Sequence, residues 1–209
     1  MPMPRLTHGV LVLLLLFVPA ALGRAALPDA NAPPAPGSLT GQLLVAAPEL
    51  DDPSFAHTVI LLVRQDAHGA LGIIVNRPLG DRPWAGLMAG IGQDATGLDG
   101  SVRIFSGGPM EPGNGFVLHS AEYRRGATLA IDGKVAMTSS VEVLSDIAHH
   151  AGPQQSLVAF GYAGWGPGQL EHELGLHAWF TIPDDPKLIF DDDRGKVWDD
   201  AIARRTIPL

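Results

Sequence analysis

Two apolar runs meet at a turn in Thr58-Val59-Ile60-Leu61-Leu62-Val63-Arg64-Gln65-Asp66-Ala67-His68-Gly69-Ala70-Leu71-Gly72-Ile73-Ile74-Val75, and their reading decides the fold. Thr58 to Val63 is an unbroken run of β-branched residues and leucine, the pattern of a strand covered on both faces. His68-Gly69 turns the chain, and Ala70 to Val75 reads as the hairpin partner. Upstream, Leu39 to Ala47 is a strand ended by Pro48, and Glu49 to Ala56 is a turn with one helical turn. Downstream, Arg82 to Gly90 reads as a short helix, and Val102 to Phe105 and Phe116 to Leu118 as strands around a Gly/Pro loop. Thr128 to Ile131 and Lys134 to Met137 flank Asp132-Gly133, a two-residue hairpin signal that wants positive φ at both positions. Ser139 and Glu142 form a capping box for a helix from Val141 to His149, with Val143, Leu144, Ile147 and Ala148 on its apolar stripe. Ser156 to Phe160 is a buried strand entering a glycine-rich loop. A helix over Gln169 to Gly175, a strand over Ala178 to Ile182 and a helix over Gly195 to Arg205 complete the chain. Short strands with helices inserted irregularly define an α+β single domain rather than a regular βαβ alternation.

The chain has 209 residues, 46% of them hydrophobic and 17% charged, the balance of a globular domain. A body of about 170 residues buries roughly 70% of its unfolded surface and needs no staples. There is no cysteine, which excludes disulfides, thiol nucleophiles and thiolate metal sites. Lys+Arg 14 against Asp+Glu 22 gives a net charge of −8 and a pI near 5.3, which argues against direct contact with nucleic acid.

Residues 1–25 read as a signal peptide. Arg5 precedes an apolar run from Val10 to Val18, broken by Pro19 and too short to span a bilayer. Small residues place cleavage after Gly23 or after Ala25. Removing 1–25 takes away Arg5 and Arg24 and no acid, so the mature charge is −10. Residues 26–37 are a Pro/Ala-rich linker with Pro28, Pro33, Pro34 and Pro36. The folded domain occupies 38–209. The expectation is export to the periplasm or beyond, with membrane contact only in transit through the leader. A cytoplasmic protein is the alternative if the leader is a misassigned start.

The densest motif is Gly161-Tyr162-Ala163-Gly164-Trp165-Gly166-Pro167-Gly168-Gln169-Leu170-Glu171-His172-Glu173-Leu174. A strand, a glycine loop and a helix start resemble an anion cradle. The Walker and dinucleotide spacings are absent, and Glu171 and Glu173 in the first helical turn repel phosphate. A packed loop anchored by Trp165 is the better reading, with Tyr162 and Trp165 open to a peptide or small apolar ligand. His172 and His177 are five apart and share no helical face, so no metal site is assigned. Asp191-Asp192-Asp193 lacks the ligand spacing of a calcium loop. Asn76-Arg77-Pro78 is read as structural, with Arg77 available to an acid. A hydrolase reading draws on Ser106, His119 and the N–H groups of Gly107 and Gly108, but the glycine two residues before a nucleophile-elbow serine is missing.

Taken together, Gly41 to Pro48, Asp52-Pro53-Ser54-Phe55, Gly69 to Pro78, Gly107-Gly108-Pro109, Gly115 to Ser120 and Gly161 to Leu174 resemble the YqgE/AlgH family, in its order, from about Ser38 to Arg205. The resemblance implies an α+β fold whose mixed, strongly bent sheet forms a pseudo-barrel with a few flanking helices. It implies no established reaction and no cofactor, and the AlgH name carries a proposed regulatory role in alginate production. Val63 stands near where many relatives carry cysteine, and relatives normally lack an export leader. The resulting expectation is a non-enzymatic binding or accessory domain for a protein or small-molecule partner. Its surface would be drawn from Asn76, Arg77, Gly107, Gly108, His119, Ser120, Tyr162, Trp165, Gln169, Glu171 and Glu173. The alternatives are the hydrolase using Ser106 and His119, and a cytoplasmic regulator of transcription acting through protein partners.

Overall fold

The structure, a computed structural model, describes residues 37–190 and 193–205. The leader and nearly all of the linker therefore lie outside the described residues, as do Asp191 and Asp192. In chain order the strands and helices are β1 (Leu43–Ala46), β2 (Val59–Asp66), β3 (Gly69–Ile74), β4 (Pro78–Pro83), α1 (Trp84–Gly90), β5 (Ser101–Ser106) and β6 (Met110–Ser120). They continue with β7 (Thr128–Ala130), β8 (Val135–Thr138), α2 (Glu142–Ala148), β9 (Ser156–Trp165), α3 (Gln169–Gly175), β10 (Trp179–Ile182), α4 (Pro186–Phe190) and α5 (Val197–Ala203).

The ten strands form one sheet in the order β10-β1-β2-β3-β9-β6-β8-β7, with β5 on a further edge of β9 and β4 beyond it. Pairing is antiparallel except for β5 with β9. Strand β9 is shared. Along one edge it carries β6; along the other it carries β5 up to Phe160 and β3 from Ala163 to Trp165. The sheet therefore divides at Gly161.

Val59, Leu61 and Val63 point into one core, and Ile60 and Leu62 into another, as the unbroken apolar run requires. The first core gathers residues from the far ends of the sheet, Leu43 and Ile182 with Leu118 and Val135, so the sheet curls into a half-barrel around it. Leu188, Ile189, Val197 and Ala201 from α4 and α5 join this interior. The second core lies beneath α3, with Trp165, Leu170 and Trp179. A third, under α1 and α2, holds Trp84, Met88, Ile104, Val117, Val143 and Val158. Each fully buried leucine or isoleucine contributes about 1.5–3 kcal/mol.

Several local readings change. Gly161 to Trp165 is strand, not loop; only Gly166 to Gly168 turns before α3. The helix expected from Val141 starts at Glu142 without a capping box, and Ser140 bonds the Glu142 carboxylate instead. The Asp132-Gly133 hairpin forms without positive φ at either residue. Asp132 Oδ1 accepts the N–H groups of Lys134 and Val135, both at 2.7 Å, so an aspartate side chain makes the turn. His149, at the end of α2, donates Nδ1–H to the Ser145 carbonyl at 2.8 Å, satisfying a helix C-terminal acceptor. Edge strand β4 and helix α4 are additions to the sequence reading.

Candidate functional site

Where β9 changes neighbours, the chain comes too close to another backbone for any side chain. A Cβ on Gly107 would stand 2.2 Å from the Gly161 carbonyl oxygen, and one on Gly108, at φ 150°, 2.1 Å from the Tyr162 carbonyl carbon. Gly107 N–H donates to Phe160 O at 2.8 Å, and its carbonyl accepts from Ile74 N–H at 2.9 Å. The glycine N–H proposed for an oxyanion hole is thus spent on the sheet. Both glycines are buried. They are the joint between the two halves of the sheet, and the glycines of β9 are its counterpart.

Asn76 and Arg77 close the turn that precedes β2. Asn76 Oδ1 accepts Val59 N–H and its Nδ2 donates to His57 O, each at 2.9 Å. Among the described residues Arg77 meets no acid. Its guanidinium donates to the carbonyls of Ser54 (2.8 Å), Pro53 (3.0 Å) and Ala56 (3.2 Å), satisfying backbone acceptors that no strand reaches.

His119 is fully buried. Its Nδ1 lies 3.0 Å from the Ser120 carbonyl, which can only accept, so Nδ1 carries the proton. Nε2 therefore accepts from the Thr138 hydroxyl at 2.9 Å; Thr138 in turn receives the Thr128 hydroxyl at 2.8 Å, and Thr128 the Arg125 N–H. Burial lowers the imidazole pKa and keeps it neutral. Ser106 and His119 are not brought together. They pair with Phe160 and Ser156 of β9 from opposite edges, about 13 Å apart along that strand alone. Ser120 instead bonds Glu122 and receives Gln155 N–H.

Trp165 is buried at 7% exposure and does not form a recognition surface. It packs edge-on against Trp179, with centroids 6.0 Å apart. Both indole N–H groups donate to one oxygen of Glu173, at 2.9 and 2.8 Å, and Gln169 donates to the other at 2.9 Å. Glu171 accepts from Gln65 at 2.6 Å, tying α3 to β2. Helix α3 begins after Gly168 in a left-handed conformation, and its acids serve these internal bonds. His172 lies on α3, whereas His177 follows it at φ 58°.

What stays open is the shoulder that Gly107 and Gly108 launch. Met110 to Asn114 bulges out of the β6–β9 ladder between the Met110 and Gly115 pairings. Glu111 sits at φ 45°, an uncommon conformation for a residue with a side chain. Met110, 43% exposed, pairs with Tyr162, and its sulfur covers Gly164. The half-buried Tyr162 hydroxyl donates to Glu111 at 3.3 Å, and Asn114 bonds the same carboxylate. The sequence reading placed Tyr162 here but missed Met110, Glu111 and Asn114. Their signal was the Met-Glu-Pro-Gly-Asn-Gly run, polar and glycine-rich after a strand. Away from the shoulder, a cleft of about 480 Å³ is lined by Lys134, Ile182, Pro183, Asp184, Asp185, Pro186 and Arg204.

A curled α+β half-barrel with buried glycine joints places the chain among known folds. Residues 43–209 match the family described as AlgH-like. The chain belongs to the YqgE/AlgH family. It is similar to a UPF0301 protein of Rhodospirillum rubrum, 43% identical over 155 residues covering 74% of this chain and 81% of that protein. A UPF0301 protein of Cereibacter sphaeroides is 42% identical over 160 residues, 76% of this chain and 87% of its own length. The solution structure of the AlgH protein from Pseudomonas aeruginosa superposes with a TM-score of 0.70 at 37% identity, covering 85% of this chain and 94% of that one. A crystal structure of a Corynebacterium diphtheriae protein shares the fold alone, with a TM-score of 0.64 at 20% identity, over 86% of this chain and 91% of that one.

Proposed function

We propose that this protein is an exported, non-enzymatic binding or accessory domain that recognises a protein partner through the Met110–Asn114 shoulder and Tyr162. One observation carries the reading: a large apolar side chain stays 43% exposed at the start of a bulge, laid over Gly164 beside Tyr162, with the next residue, Glu111, in a left-handed conformation. Exposed methionine beside tyrosine gives an adaptable apolar contact with polar groups at its rim. The other residues expected to form the surface serve the frame: Gly107 and Gly108 lead into the shoulder, and Asn76, Arg77, His119, Ser120, Gln169, Glu171 and Glu173 make internal hydrogen bonds elsewhere in the fold. Export is supported by the Arg5, apolar-run and small-residue order of 1–25.

Gly113 is exposed and has open space at its Cβ position, so a photo-crosslinking residue there leaves the fold intact. In cells producing the full chain, crosslinking from position 113 is expected to yield one discrete adduct in the periplasmic fraction. Met110→Glu abolishes that adduct without changing the melting curve. An adduct that survives Met110→Glu, or a chain that stays unprocessed in the cytoplasm, contradicts the reading.

A further inference from the structure

The half-barrel is not closed by hydrogen-bonded strands: among the described residues no ladder joins its end strands, β7 and β10. Its ends meet instead through side chains. The turn between β7 and β8 carries Asp132 and Lys134, and the connection from β10 to α4 carries Asp184 and Asp185. Lys134 Nζ lies 2.9 Å from Asp184 Oδ1 and 3.4 Å from the Asp184 carbonyl. The Asp184 side chain is only 10% exposed, whereas Lys134 is 56% exposed. The second Asp184 oxygen, Oδ2, is sealed from solvent and receives no donor among the described residues. Asp132 heads the same turn as Lys134, and its carboxylate raises the pKa of Asp184. Gly41, just before β1, runs against Asp132 on its other side.

We infer that Asp132, Asp184 and Lys134 form a pH-sensitive latch that holds the two ends of the curled sheet together. One carboxylate of the pair is matched by Lys134. The other balances only if Asp184 carries a proton and donates it to Asp132, because two ionised carboxylates in contact repel. Two further charged groups face the latch: Arg204, just after α5, bonds Asp185 at 2.6 Å, and Asp185 also accepts the backbone N–H of Lys187 of α4, whose ammonium group lies near Asp185. Burial raises the Asp184 pKa, Lys134 opposes that, Asp132 adds to it, and the net displacement is upward. A carboxyl whose pKa is higher folded than unfolded stabilises the closed form at low pH and loses that contribution as pH rises through the folded value. The latch is therefore tight in acid and loosens as pH rises through the folded value of Asp184. This holds whatever partner the Met110 shoulder takes.

The test is the pH dependence of hydrogen exchange at the Ile131 and Val135 amides, with a carbon-detected NMR titration of the Asp184 carboxyl. In the wild type, protection relative to intrinsic exchange is lost as pH rises through the titration midpoint of Asp184. Asp184→Asn, neutral and still a donor to Asp132, holds the acid-level protection throughout. Asp132→Asn keeps the Oδ1 acceptor of the turn, removes the facing charge and lowers the Asp184 titration midpoint. An Asp184 carboxyl titrating at or below the ordinary aspartate range overturns the latch, as does an identical pH profile in wild type and Asp184→Asn.

Discussion

Two indoles and an amide converge on the Glu173 carboxylate, and this single side chain explains why a motif rich in glycine and tryptophan needs an acid in its helix. Trp165 comes from β9, Trp179 from β10 and Gln169 from α3, so Glu173 joins three elements. Bonds to a charged acceptor are worth more than neutral ones, and losing them strands two indole N–H groups in a largely buried layer. Glu173→Ala is expected to cost about 2–4 kcal/mol in urea unfolding, with tryptophan emission shifted to the red in the native baseline. Glu173→Gln keeps one acceptor and costs less. At this scale the sequence showed which residues matter but not their direction. Trp165 and Glu173 stood out in the motif, yet nothing local says that the indole faces inward. That depends on Trp179, which reaches it only through the β10–β1 pairing.

Elements with a regular apolar pattern were legible. The β2–β3 hairpin appears where its two runs predict, and α3 has the bounds read from its sequence. Strand β4 escaped because Pro78, Gly80 and Pro83 erase any alternation, although the same residues suit an edge strand that must not recruit another chain. Five-residue α4 is too short to show a stripe. The misreading of Gly161 to Trp165 has the same physical origin as the function of Gly107-Gly108. Glycine that marks a turn in isolation here marks a place where two backbones touch. Gly108→Ala puts a methyl group into the Tyr162 carbonyl at a backbone angle that side chains avoid. A loss of at least about 3 kcal/mol, or failure to fold, is expected. Gly113→Ala, one residue beyond Pro112 but facing open space, is the matched control and leaves the melting temperature unchanged.

Across the whole molecule, β9 is the member on which both halves of the sheet depend. Its first part carries β5 and β6, and its last part carries β3, so neither the core beneath α3 nor the core under α1 and α2 persists if it leaves. The α+β class was readable from short strands and irregular helices, and the curl was expected from the family resemblance. The division of one strand between two partners was not readable, because pairing across the chain leaves no local pattern. Hydrogen exchange along β9 tests this architecture most directly. The account predicts that amides from Leu157 to Trp165 whose partners lie in the ladders exchange only through global unfolding, with the same free energy on both sides of Gly161. Rapid exchange from Gly161 to Trp165 beside a protected Leu157 to Phe160 would make that stretch a loop and contradict the account.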